Sequence, residues 1–97
     1  MARRRYLVAY DIREPKRLRI VHGTMKGFGY ALQYSVFVCD LDAVEKVHMR
    51  QALASCIHHG EDSVAMIDLG DAAARGAECF EFMGTNRHLP KGGSRIL

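Results

Sequence analysis

Asp11 is the residue best placed to do chemistry, because of its neighbours. It directly follows the apolar run Leu7-Val8-Ala9-Tyr10 and precedes Arg13, Arg17 and Arg19. An apolar run ended by an acid predicts a buried strand with a carboxylate at its carboxyl end, where open α/β sheets place their ligands. Beside a row of guanidinium groups, that carboxylate could hold a divalent cation next to a phosphate. One aspartate alone makes a weak site, since Mg²⁺ demands a full octahedral shell of oxygens. A two-fold axis near Asp11 would supply two carboxylates. The plainer reading makes Asp11 a cap for the helix that follows, and the residues alone leave both readings open.

Other polar groups carry weaker patterns. Cys56, His58 and His59 lie close together, but adjacent histidines in an extended chain point apart. His22, His48 and His88 belong to separate segments, and the spacing fits none of the structural zinc patterns. Ser35 has no histidine near it in sequence, so a Ser-His nucleophile would have to be assembled by the fold. Gly27-x-Gly29 follows a helical stretch instead of a strand, which makes it a stop signal and not a phosphate loop. Cys39, Cys56 and Cys79 are an odd number without a C-x-x-C pair, so free thiols in a reducing compartment are expected.

The elements that must position Asp11 can be read around it. Arg5 to Tyr10 predicts a strand apolar on both faces. Pro15, with Glu14 beside it, predicts the first turn of a helix in which Leu18, Val21, His22 and Met25 recur at helical spacing. Gly27 and Gly29 are expected to end that helix through a left-handed cap. Leu32 to Cys39 alternates with period two and predicts one strand, bent or broken near Gln33. Asp42 and Glu45 match a capping box opening a second helix to about Ile57, whose apolar face gathers Leu41, Val44, Met49, Ala52, Leu53 and Cys56. His58-His59-Gly60 closes it. Ser63 to Leu69 and Cys79 to Met83 predict two further strands, the second with Phe80 and Phe82 on one face. Asn86 to Gly93 reads as a loop and Ser94 to Leu97 as a last short strand. One domain is expected over residues 1–85, with residues 86–97 a basic, Gly-containing tail.

Two helices on one sheet make a two-layer α/β sandwich. Right-handed crossovers put both helices on the same side and leave the other side bare, although the strands are apolar on both. A chain of 97 residues has nothing left to cover that side, so a second copy packed sheet to sheet with two-fold symmetry is expected.

Composition agrees with a globular domain: 48% hydrophobic and 26% charged residues exclude a disordered chain or a fibre. The apolar run near the start is too short for a signal-peptide core or a membrane span, so a cytoplasmic place and no membrane partner are expected. The net charge of +3 is unevenly spread, with +6 over residues 1–27, −6 over residues 28–85 and +3 over the last twelve. Basic ends around an acidic middle suit a cationic face turned to a polyanion, nucleic acid being the commonest; a solvated charged face without a partner would read the same.

Three segments carry a resemblance: "LVAYDI" (Leu7 to Ile12) followed by Arg17 and Arg19, "KGFGYALQYSVFVCDL" (Lys26 to Leu41), and "EDSVAMIDL" (Glu61 to Leu69). In this order they resemble the CRISPR-associated Cas2 family over about residues 5–83. The resemblance implies a small, dimeric, ferredoxin-like protein of spacer acquisition, described both as a metal-dependent endonuclease and as a non-catalytic bridge between integrase dimers. It implies that Asp11 is the metal-binding aspartate, with Mg²⁺ as cofactor, and that Tyr10 is the catalytic tyrosine beside it. Arg17 and Arg19 match nucleic-acid-binding positions, to which the residue pattern adds Arg13. Ser35 and Phe37 match the strand at the dimer interface. The implied partners are a second copy, the integrase of CRISPR adaptation, and DNA or RNA; the tail would pair with the partner subunit.

Ala31 departs from the family, many of whose members carry a basic residue two before the Gln. A standalone toxin-like endoribonuclease of the same fold is the alternative. Whether such a dimer cuts or only holds stays open on the sequence. Two carboxylates can hold Mg²⁺ for catalysis, yet no residue offers itself as a general base, and the ordinary pKa of Tyr10 is too high.

Overall fold

A single strand, β1 (Arg4–Asp11), runs through the middle of the sheet and organises the rest of the molecule. The computed structural model describes residues 2–74 and 78–85. After β1 come α1 (Pro15–Lys26), β2 (Tyr30–Gln33), β3 (Val36–Leu41), α2 (Ala43–Cys56) and β4 (Ser63–Asp71). The sheet order is β2-β3-β1-β4 and every neighbouring pair is antiparallel. Two helices on an antiparallel sheet of this order make the ferredoxin-like α+β fold.

Local chemistry explains both helix starts. Glu14 is the N-cap of α1: its carboxylate accepts from the backbone of Lys16 at 3.1 Å and Arg17 at 2.8 Å, with Pro15 in the first turn. Asp42 and Glu45 close a reciprocal capping box on α2, as the spacing predicts. The end of α1 differs from expectation. Gly27 is right-handed (φ −77°), and the glycine the fold requires is Gly29, where a Cβ would collide with the Val38 carbonyl and the Cys39 sulfur. Close approach of backbone, and not a left-handed turn, selects glycine there.

The segment expected as one strand is a hairpin, with β2 and β3 joined at Tyr34-Ser35. Among the described residues no non-glycine residue has positive φ, and no glycine or asparagine marks this turn. Tertiary bonds hold it instead: the Tyr10 amide donates to the Ser35 carbonyl at 3.0 Å, and the Tyr10 hydroxyl to the Tyr34 carbonyl at 2.6 Å.

The core lies between sheet and helices: Tyr6, Val8 and Tyr10 of β1, Phe37, Cys39 and Leu41 of β3, Val21 and Met25 of α1, and Met49 and Leu53 of α2. Burial pushes the Cys39 thiol up to about 12, with Asp40 adding to it. Val44, expected on the buried face of α2, is 52% exposed. It stands five residues before Met49, about 140° round the helix, so it cannot share that face.

The opposite face of the sheet is partly covered by the chain itself, which corrects the expectation that nothing remained for it. Phe80 and Phe82 stack at 6.1 Å and, with Met83, form a cleft with Leu7, Leu32 and Val36. Residues 79–83 belong to no strand, because no neighbour pairs with them among the described residues. Arg5 and Asp40, directly opposite across β1 and β3, form a two-pronged ion pair (2.7 and 2.8 Å) with both side chains buried. The β4 half of this face stays open, with Ala65 and Ile67 exposed. The expected loop and strand over residues 86–97 lie outside the described residues. Among the described residues, no helix is long and apolar enough to cross a membrane.

Candidate functional site

Asp11 closes β1 opposite Ser63 of β4. Its side chain is exposed and makes no hydrogen bond or ion pair among the described residues. The capping role that competed for it belongs to Glu14, so the Asp11 carboxylate is left free for an outside group.

Tyr10 is not brought to Asp11. Successive residues of a strand point to opposite faces, and Tyr10 lies in the core while Asp11 belongs to the face with Leu7 and Ala9. The Tyr10 hydroxyl is held by the Tyr34 carbonyl, with His22 Nδ1 at 3.2 Å, and burial pushes its pKa up to about 12. A buried, engaged phenol of that kind serves the hairpin and is no proton acceptor at neutral pH. Phe37 likewise turns inward: it is fully buried in this chain's own core, 6.2 Å from the Tyr10 ring, so the expectation of Phe37 at a dimer interface is corrected. Side-chain parity on β3 decides this, since Val36 and Val38 are the residues facing away from the helices. Ser35 sits in the hairpin turn, partly exposed.

The arginines divide into two groups. Arg17 is spent inside the chain: its guanidinium reaches Asp62 at 2.9 Å and Glu61 at 3.1 Å. Asp62, which the sequence reading passed over, also accepts from the backbone of Arg13 at 2.9 Å and His58 at 2.7 Å. Those bonds, Arg17 first, hold its carboxyl well below the usual carboxylate range against the opposing effect of burial. Asp62 thereby pins the turn before β4 to the start of α1, next to Asp11. Of the run at the N-terminus, Arg3 is paired with Glu45, Arg4 with Asp68 and Arg5 with Asp40, so the run is no free cationic patch. Arg13, Lys16, Arg19 and Lys26 are exposed, and their side chains have no partner among the described residues.

An exposed carboxylate thus ends a central strand of a small ferredoxin-like domain, followed along the chain by the exposed cations Arg13, Lys16 and Arg19. Residues 4–75 match the family described as CRISPR associated protein Cas2. The CRISPR-associated endoribonuclease Cas2 1 of Rhodospirillum rubrum is 51% identical over 67 residues, covering 69% of this chain and 66%, just under two thirds, of that protein. The CRISPR-associated endoribonuclease Cas2 of Geobacter sulfurreducens is 46% identical over 67 residues, covering 69% of this chain and 70% of its own. The crystal structure of Streptococcus pyogenes Cas2 at pH 6.5 superposes with a TM-score of 0.73 at 30% identity, over 82% of this chain and 99% of that one. This chain belongs to the Cas2 family.

Asp11 fits a hard cation by kind but not by number. Its oxygens are the ligands Mg²⁺ prefers, yet among the described residues no three His, Cys, Asp or Glu side chains are grouped for a metal. At this position one chain therefore offers a single carboxylate, short of the oxygen shell that a hard cation takes.

Proposed function

We propose that this chain acts in CRISPR spacer acquisition as a homodimer that binds nucleic acid and bridges the integrase, with a Mg²⁺-dependent phosphodiesterase activity at paired Asp11 carboxylates. The observation that carries the reading is the exposed Asp11 carboxylate, without a partner among the described residues and followed along the chain by the exposed cations Arg13, Lys16 and Arg19. Family membership supports the adaptation role, and the relatives' description as endoribonucleases supports the hydrolytic one. Asp11 lies on the sheet face whose β4 half is open, so a two-fold axis over that half turns the two Asp11 side chains toward one another. Arg13, Lys16 and Arg19 would bind and orient the phosphodiester by charge, without reading bases. Asp62 and Arg17 hold the loop that carries the site. When bound, Mg²⁺ would supply positive charge for a phosphoryl oxygen.

Asp11→Asn tests this in two assays on one preparation, checked to be folded and dimeric. A neutral amide is a poorer ligand for a hard cation, so Mg²⁺-dependent cleavage should be lost, while removal of a negative charge leaves nucleic-acid binding equal or tighter. Spacer acquisition with the integrase should survive. Cleavage that persists in Asp11→Asn would remove the catalytic role, and acquisition lost in a folded dimer would remove the separation of cutting from bridging.

A further inference from the structure

Three rings run from the core to the surface beside α1. Phe37 is fully buried; His22 meets it edge-on at 5.4 Å; Tyr34 lies flat on His22, 3.9 Å away with the planes 1° apart. Tyr34 is nevertheless 49% exposed. With one face covered by the imidazole, that exposure belongs to the outer face and edge of the ring. The main chain beneath the ring is anchored as well, because the Tyr34 carbonyl accepts from the Tyr10 hydroxyl and lies 2.9 Å from His22 Nδ1. Arg19 and Lys26 stand three residues before and four after His22, so they share its side of the helix. Both are exposed and without partners among the described residues. The helical rise separates them by about 10 Å, room for one nucleotide between two cations.

We propose that the outer face of Tyr34 stacks one unpaired nucleobase, with Arg19 and Lys26 binding the phosphates on either side, so that the chain prefers single-stranded nucleic acid at this spot. This rests on the nucleic-acid reading above and narrows it. Every base has a π-face, so an immobilised aromatic ring flanked by cations binds single strands with little regard to sequence. Along a duplex every base is already stacked on both faces, and only the two end pairs keep one face open, so a blunt duplex has far less to offer than a single strand.

The test measures binding of the full-length protein to a short oligothymidylate, to the same strand made abasic, and to a blunt duplex. Wild type is compared with Tyr34→Ala, Tyr34→Phe and Tyr34→Leu, the last keeping bulk over His22 without an aromatic face. Tyr34→Ala and Tyr34→Leu should weaken binding of the oligothymidylate by about 5- to 100-fold, with Tyr34→Phe close to wild type. Duplex affinity should not change, and all four proteins should bind the abasic strand with the same reduced affinity. An oligouridylate should behave as the DNA strand does, because stacking reads the ring and not the sugar. Oligothymidylate binding that survives Tyr34→Leu, or that falls together with duplex binding, overturns the stacking platform and leaves the wider reading standing. Wild type that binds neither strand nor duplex overturns both.

Discussion

Asp62 shows how one side chain can hold a site without entering it. Its carboxylate gathers the Arg17 guanidinium and the backbone amides of Arg13 and His58, and its pKa is lowered in the folded state. A lowered carboxyl stabilises the fold fully above its unfolded pKa of about 3.9, and the contribution fades as pH falls through the folded value. Asp62→Asn should therefore melt below wild type at neutral pH, and the gap should narrow only once the pH drops under about 4. A thermal melt followed from pH 7 to strongly acid conditions checks this; a gap that narrows near neutrality would mean another group is responsible. The sequence showed Asp11 and its cations because they are contiguous with the strand that ends there. It hid Asp62, whose three partners come from different parts of the chain, and it displayed Arg3 to Arg5 as a cationic run because their acidic partners lie far along the chain.

At the scale of elements, legibility followed the range of the forces involved. Both helix starts depend on groups within one turn, and Pro15, Glu14, Asp42 and Glu45 announce them. The β2–β3 hairpin depends on Tyr10, more than twenty residues upstream, so its turn residues read as ordinary strand. The unpaired course of residues 79–83 was equally hidden, because alternation at Phe80 and Phe82 records facing, not pairing. Gly29 is a contact of the same long-range kind. Gly29→Ala drives a methyl into the Val38 carbonyl and the Cys39 sulfur and should cost about 1–3 kcal/mol by overpacking. Gly23→Ala, with open space around the new methyl on an exposed helix face, should stabilise slightly. Denaturant titration of the two variants decides: a Gly29→Ala chain as stable as wild type would show that the close approach does not require glycine there.

For the whole molecule, the distribution of paired and unpaired charge sets what salt does. With Arg3, Arg4, Arg5 and Arg17 paired internally, Arg13 together with Lys16, Arg19 and Lys26 of α1 remain to meet phosphates, so log Kd against log salt should have a slope of about 3 to 4 per protomer. A slope twice that would mean that the internal pairs open on binding. The open half of the sheet makes its own prediction. Light scattering should give twice the chain mass, and Ile67→Glu, a change at a position 43% exposed in the single chain, should halve it while leaving the melting temperature of the monomer nearly intact. A variant that stays dimeric would place the contact elsewhere. Phe37→Glu is the wrong probe, because its charge would enter the core of each chain. Cys39 also equips the molecule with an internal clock. Its thiol is fully buried on a central strand, in the core between sheet and helices, and held largely protonated, so a maleimide can reach it only when sheet and helices part. The rate at which Cys39 takes up label, read separately from the partly exposed Cys56 and Cys79, thus counts the openings of the core, and a bound nucleic acid that braces α1 would slow the count.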